Sequence, residues 1–223
     1  VLLVRSESSP DHEIVEARRH LAIVVAEHIG LAIDDLQLRE KLRNESLRDP
    51  LTGLYNRRYL EEAYTQAGAT AQRQRGSLVV MLIDMDHFKQ LNDTLGHEAG
   101  DTVLRALGAL LQRSVRESDT PCRLGGEEFA LLMPAATLEQ GKARAEEIRK
   151  QIKALRVEHR GRVLDNFSAS IGIAAYPDCG RSLAELLIAA DQGLYQAKAA
   201  GRDCVRVAPC HGIAAQTGGT QAA

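Results

Sequence analysis

Long hydrophobic runs are missing from this 223-residue chain. No unbroken apolar stretch is longer than Leu78 to Ile83, which has the length of a strand and falls far short of the ~20 residues needed to cross a bilayer. Net charge is almost missing as well. The 28 Lys and Arg against 30 Asp and Glu leave −2, which gives no general pull toward nucleic acid or toward direct contact with an anionic membrane, so any anion must be held locally. Cysteine is sparse and unpatterned. Cys122, Cys179, Cys204 and Cys210 show no CxxC spacing and read as scattered thiols in a chain long enough to do without disulfide staples, as in a reducing cytoplasm. No repeat of solenoid period and no signal-peptide pattern occurs, although a start at Val1 reads as a piece with more chain upstream. What remains, 44% hydrophobic and 26% charged, fits one globular domain with extensions.

Punctuation divides the chain. Val1–Val4 reads as a single strand before the turn-prone Ser8-Ser9-Pro10-Asp11, so residues 1–12 look like the end of a domain whose body is absent. From 13 to 48 the composition is helical, and Ala22, Val25, Ile29, Ala32 and Leu36 alternate at 3 and 4 spacing, the seam of a two-stranded coiled coil. The seam slips and continues through Leu38 and Leu42. Asp49-Pro50 ends that helix. Residues 49–208 then read helix, strand, helix, helix, strand, strand, helix, strand, helix, strand. A hairpin mixed with helical crossovers predicts an α+β fold, a mostly antiparallel central sheet flanked by helices. Ser182 and Glu185 form a capping box for the last helix. The tail over 209–223 has nothing to bury and reads as disordered.

The most informative stretch is Arg123-Leu124-Gly125-Gly126-Glu127-Glu128-Phe129, followed by an apolar run that stops at Pro134. Adjacent glycines there predict a tight hairpin turn, and two acids directly after them put negative charge where water, metal or phosphate can reach. Asp84 and Asp86 stand at the exit of the apolar strand, where an ionised carboxylate is costly unless a cation or a donor meets it. If the hairpin lies beside this strand, Glu127 comes close to Asp84. Two carboxylates and a carbonyl are hard oxygen ligands of the kind Mg²⁺ takes.

Together with Gly125–Phe129, the segment Asp84-Met85-Asp86-His87-Phe88-Lys89-Gln90-Leu91-Asn92, continuing through Gly96-His97 to Gly100-Asp101, resembles the GGDEF family of diguanylate cyclases. Asp49-Pro50-Leu51-Thr52-Gly53-Leu54-Tyr55-Asn56-Arg57-Arg58, Ser170-Ile171-Gly172 and Ala190-Asp191 through Leu194-Tyr195-Gln196-Ala197-Lys198 match further family elements in order. The resemblance implies condensation of two GTP into cyclic di-GMP and two pyrophosphates, with Mg²⁺ as cofactor and Mn²⁺ as a substitute. It implies metal ligands at Asp84, the Met85 carbonyl and Glu127, with Glu128 as a group able to take the 3′-hydroxyl proton. Asn92 and Asp101 would hold guanine, His97 would line the base or ribose pocket, and Lys89, Lys198 and Arg202 would meet phosphates. The signature carries Glu at its third position instead of Asp, a change that keeps the ligand chemistry.

Arg116-Glu117-Ser118-Asp119 has the RxxD form where the family places an inhibitory product site, made of Arg116 and Asp119; Arg162-Val163-Leu164-Asp165 has the same form without that position. A second arginine for this site is not obvious, with Arg144 and Arg149 near and Glu147 at the matching place. Since each subunit of the family binds one GTP, the resemblance also implies a homodimer, and the front of the chain is similar to the end of a GAF-type sensor. Two other readings compete with the cyclase: a silent domain that only binds GTP or cyclic di-GMP, and a cyclase making another cyclic nucleotide, which Asn92 and Asp101 disfavour.

Overall fold

A computed structural model describes residues 19–35, apart from 22 and 27, and residues 47–210. The chain separates into two units, divided between Ser46 and Leu47. In the first, a helix (α1) runs through the described positions from 19 to 35, and most of its described apolar side chains stay in solvent, with Ile29 55% and Leu31 67% exposed. The predicted strand at Val1–Val4, the seam positions Ala22, Leu36, Leu38 and Leu42, and the tail after Cys210 lie outside the described residues. Among the described residues no helix is long and apolar enough to cross a membrane.

The second unit contains β1 (Tyr55–Asn56), α2 (Arg57–Gln74), β2 (Leu78–Met85), α3 (Phe88–Leu95), α4 (His97–Ser114), β3 (Thr120–Gly125), β4 (Glu128–Pro134), α5 (Leu138–Lys153), β5 (Val157–His159), β6 (Arg162–Leu164), β7 (Ala169–Tyr176), α6 (Leu183–Ala199) and β8 (Val205–Val207). The main sheet has the order β1-β3-β4-β2-β7-β8. Its central pairings, β3–β4, β4–β2 and β2–β7, are antiparallel, and the edge strands β1 and β8 pair in parallel. The fold is α+β with a mostly antiparallel sheet, as the sequence predicts.

Strand β2 organises the core, because every one of its residues is buried. Its side chains alternate across the sheet. Val79, Met81, Ile83 and Met85 pack with Val103, Leu107 and Leu111 of α4 and Ile148 and Ile152 of α5. Leu78, Val80 and Leu82 pack with Leu60 of α2 and Leu186, Ala190 and Leu194 of α6. Burying each such aliphatic side chain contributes about 1.5–3 kcal/mol, so both helical layers are bound firmly to one strand. Parity then decides the site: Asp84 follows Leu82 on the α6 side. Gly172 of β7 makes that approach possible, since a Cβ there would lie 2.0 Å from the Ala190 carbonyl oxygen and 2.3 Å from the Leu194 nitrogen.

The structure differs from the sequence reading in several places, beginning with the two-residue edge strand β1 ahead of α2, which the predicted order lacks. A small separate hairpin, β5–β6, occupies 157–164, where no strand was expected; three-residue strands are too short to show a period. The apolar run predicted as Leu78–Ile83 extends to Met85, because antiparallel pairing on both sides continues through Asp84. Cys179 and Cys210 form a disulfide across a Cα separation of 4.6 Å, which corrects the expectation of scattered thiols; Cys122 and Cys204 are free. The pair is 31 residues apart, and only the return of the chain along β8 brings the two together.

Candidate active site

The signature turn sits beside β2 because β4 is its sheet neighbour, with Asp84 opposite Glu128. Gly125 already pairs with Glu128, so the two-residue loop consists of Gly126 and Glu127, one position later than the adjacent glycines predict. Gly126 has φ +51, a left-handed geometry that glycine adopts without steric cost. The two acids are thereby separated. Glu127 sits half-buried at the tip, while Glu128 opens β4 exposed to solvent. The Glu127 carbonyl accepts from the Met85 amide at 3.4 Å, joining the turn to the end of β2.

Asp84 is 5% exposed and receives the Lys198 ammonium from the last turn of α6 at 2.8 Å. Burial pushes the Asp84 carboxyl above its ordinary value; the Lys198 bond draws it down, and the neighbouring charge of Asp86 adds to the rise. Glu127 is raised as well, by burial first and then by the charge of Asp84, with Lys198 opposing. The charge of Asp84 thus reaches Glu127, and the Lys198 ammonium, ion-paired with Asp84, acts on both acids. Among the described residues no group of three His, Cys, Asp or Glu side chains converges. The oxygen donors expected here from the sequence, the Asp84 and Glu127 carboxylates, both raised first by burial, and the Met85 carbonyl, would suit a hard divalent cation with open positions.

Asp86 has a different fate. It is 9% exposed and saturated by donors: the Ser168 hydroxyl at 2.7 Å, the Ser170 hydroxyl at 2.7 Å and the Asp203 amide at 3.0 Å. Asp203 in turn accepts from Arg149 and Lys153 of α5, each at 2.5 Å. Burial would raise the Asp203 carboxyl, but the bonds from Lys153 and Arg149 outweigh it and hold it below its ordinary value. Arg202 and Asp203 both have left-handed backbone, at φ +64 and +45, so this clamp holds a strained turn that carries Arg202. The sequence reading paired Asp86 with Asp84 and saw none of its donors, which come from Ser168 just before β7, from Ser170 on β7 and from the Asp203 amide in the turn before β8.

The remaining predicted residues divide by location. Lys89, at the start of α3, and Arg202 are exposed. Asn92 lies on α3 and Asp101 on α4, one helical turn after the exposed His97. Gly96 (φ +84) joins the two helices, its amide donating to the Asn92 carbonyl. The Asn92 side-chain oxygen is buried with no hydrogen-bond partner among the described residues. Asp119 is buried and accepts from the Arg116 amide at 3.1 Å, while the Arg116 side chain is exposed. Of the two candidate second arginines, Arg144 donates to the Ser114 carbonyl and pairs with Glu147, close to the RxxD turn; Arg149 is committed to Glu146 and Asp203. A cleft of about 610 Å³ lined by Tyr64, Arg75, Tyr176 and Arg181 lies at the other end of β2 and β7, without paired acids.

Reading by sequence missed one further link. Arg123 donates to both Asp49 oxygens, at 3.0 and 3.1 Å, and to the Gly126 carbonyl, at 3.0 and 2.8 Å. It ties the segment just after residue 48 to the signature turn. Its place two residues before the glycines was the one available signal.

Comparison with known proteins agrees with this architecture. The family described as "Diguanylate cyclase, GGDEF domain" matches residues 46–204. The diguanylate cyclase DgcP of Pseudomonas aeruginosa is 42% identical over 171 residues, covering 76% of this chain and 25% of that protein. The response regulator PleD of Caulobacter vibrioides is 42% identical over 162 residues, covering 72% of this chain and 36% of that protein. A crystal structure of the coiled coil and GGDEF domain of DgcB from Caulobacter crescentus, in complex with c-di-GMP, superposes with a TM-score of 0.76 at 28% identity, over 84% of this chain and 99% of that one. The chain therefore spans about a quarter to a third of the length of the two curated relatives.

Proposed function

Because the chain belongs to the GGDEF diguanylate cyclase family, we propose that it condenses two GTP into cyclic di-GMP, releasing two pyrophosphates. In each of two equivalent steps a 3′-oxygen bonds to the α-phosphorus of the facing GTP, the bond to pyrophosphate breaks, and the hydroxyl proton leaves to a base. The observation that carries this reading is the convergence of Asp84, Glu127 and Lys198 at the joined ends of β2, the signature turn and α6.

Asp84, Glu127 and the Met85 carbonyl would hold Mg²⁺, or Mn²⁺ in its place. When bound, the cation neutralises phosphate charge and makes an attacking hydroxyl more acidic. Lys198 counters the acids in the free protein and turns to phosphate when substrate arrives, joined by Arg202 and Lys89. Asp101 accepts from guanine N1–H and its amine, a donor pair adenine lacks, and Asn92 meets the same base with His97 beside it. Exposed Glu128 is placed to take the proton. Each subunit holds half of the reaction, so catalysis needs a homodimer, with 13–48 as the pairing signalling helix after a GAF-like remnant at 1–12 and with 49–208 as the catalytic unit. Pairing raises the local concentration of the second half-site. Use of GTP fits a cytoplasmic setting. Arg116 and Asp119 form the product-inhibition site, with Arg144 as the nearest second cation; Asp119 gives up its bond to the Arg116 amide when product binds.

Incubation with GTP and Mg²⁺ followed by nucleotide separation tests the activity. Cyclic di-GMP should form, and Asp84→Asn or Glu127→Gln should lower its rate at least a hundredfold. Binding of GTP without turnover, a different cyclic product, or full activity in either variant would reject the reading.

A further inference from the structure

Among the described residues the Asn92 carboxamide oxygen has no hydrogen-bond partner and is held by shape. It is buried, an arrangement that ordinarily costs folding energy and needs a reason. The oxygen lies over Gly100, on the facing helix α4. A Cβ at position 100 would stand 1.9 Å from Asn92 Oδ1, 3.0 Å from its Cγ and 3.0 Å from Phe88 Cζ. The notch that receives the carboxamide therefore exists only because residue 100 has no side chain. Gly100 is buried in a regular helix at negative φ, so neither a turn nor a backbone requirement explains glycine there. In such a place glycine costs about 1 kcal/mol relative to alanine.

We propose that Gly100 is a positioning residue for base recognition: its missing side chain seats the Asn92 oxygen and fixes the orientation in which the carboxamide meets the guanine. This rests on the reading that Asn92 contacts the base. With the oxygen seated over Gly100, the amide nitrogen is left as the edge that can donate to the base, while Asp101, one residue further along α4, supplies the acceptor. A methyl group at 100 pushes the carboxamide out of this orientation. Asn92 is a short flexible side chain and yields more readily than the ring of Phe88, so the change falls on recognition before it falls on the fold.

A cycle of four proteins tests the assignment: the unaltered chain, Asn92→Ala, Gly100→Ala and the double variant, each assayed for initial rate across GTP concentrations at saturating Mg²⁺. Asn92→Ala should raise the half-saturating GTP concentration about tenfold, the worth of one hydrogen bond, with the maximal rate little changed. Gly100→Ala should do nearly the same, and the double variant should be no worse than Asn92→Ala alone, because no carboxamide remains to displace. An unchanged half-saturation in Asn92→Ala removes the base reading itself. If Asn92→Ala weakens GTP and Gly100→Ala does not, the base reading stands and the Gly100 proposal falls. Multiplied effects in the double variant also reject it, since Gly100 would then act through the fold. Should Gly100→Ala lower the melting temperature, recovery in the Asn92→Ala background supports the proposal, and failure to recover overturns it.

Discussion

Asp49 and Arg123 lie 74 positions apart in the chain and meet with side chains only 17% and 13% exposed. Asp49 also accepts from the Thr52 amide at 2.8 Å and the Thr52 hydroxyl at 2.7 Å. Burial alone would push its carboxyl up, but the bonds from Thr52 and Arg123 outweigh that and hold it below the ordinary 3.8. A carboxyl depressed in the folded state adds stability that is fully present above its unfolded value and is lost as pH falls through its folded value. Asp49→Asn should therefore cost about 1–2 kcal/mol at pH 7, and the gap to the unaltered protein should close as the pH falls through the folded-state value, which lies below the ordinary one. Urea unfolding of both proteins across that range reads this directly; a gap that persists unchanged in acid would show that the charge is irrelevant. Loss of the Asp49 charge also frees Arg123, whose other contact is the carbonyl of Gly126 in the signature turn.

At the scale of elements, the contact of α6 with β7 decides where Lys198 stands. Gly172 lies against backbone atoms of α6, which cannot move aside singly as a flexible side chain can. Gly172→Ala should lift the helix from the sheet and destabilise the unit by about 3 kcal/mol, or roughly 6–12 °C in melting temperature for a domain of this size. Gly76→Ala serves as the control: a Cβ there meets nothing within 4 Å, and its melting temperature should hardly move. Equal melting of the two variants would refute the close-packing account. The clamp from Asp86 through Asp203 to α5 acts in the same way on the neighbouring turn, fixing the backbone that carries Arg202.

For the molecule as a whole, α1 poses the main question, because Leu21, Ile23, Val25, Ile29, Leu31 and Ile33 are all exposed within the single chain. A helix with so many apolar side chains in water gains by association, each buried methylene contributing about 0.8 kcal/mol. If α1 pairs with its twin, activity per subunit should fall on dilution, and Ile29→Glu should move that fall to roughly tenfold higher protein concentration. Rate measurements over a dilution series, beside light scattering, check this; activity per subunit independent of concentration in both proteins would reject the paired arrangement. The Cys179–Cys210 link joins the segment after β7 to the stretch just beyond β8, the last strand among the described residues. Closing a loop of this length restricts the unfolded chain by about 3–4 kcal/mol.

Local chemistry was legible in the sequence. The capping box of Ser182 and Glu185 starts α6, Asn56 caps α2, the uninterrupted apolar run marks the doubly covered β2, and ordered motifs from Asp49 to Lys198 identify the family. These signals act over a few residues, through backbone geometry and side-chain period, so they survive without knowledge of the fold. Long-range partners were not legible. Asp84 and Asp86 look equivalent in the chain, yet one faces α6 and takes a lysine while the other is filled by two hydroxyls and a backbone amide. Sheet order, register and the return of β8 decide which carboxylate meets Lys198, which cysteines pair and which glycine makes room for Asn92. Those are properties of packed surfaces between segments distant in sequence, and only the tertiary structure specifies them.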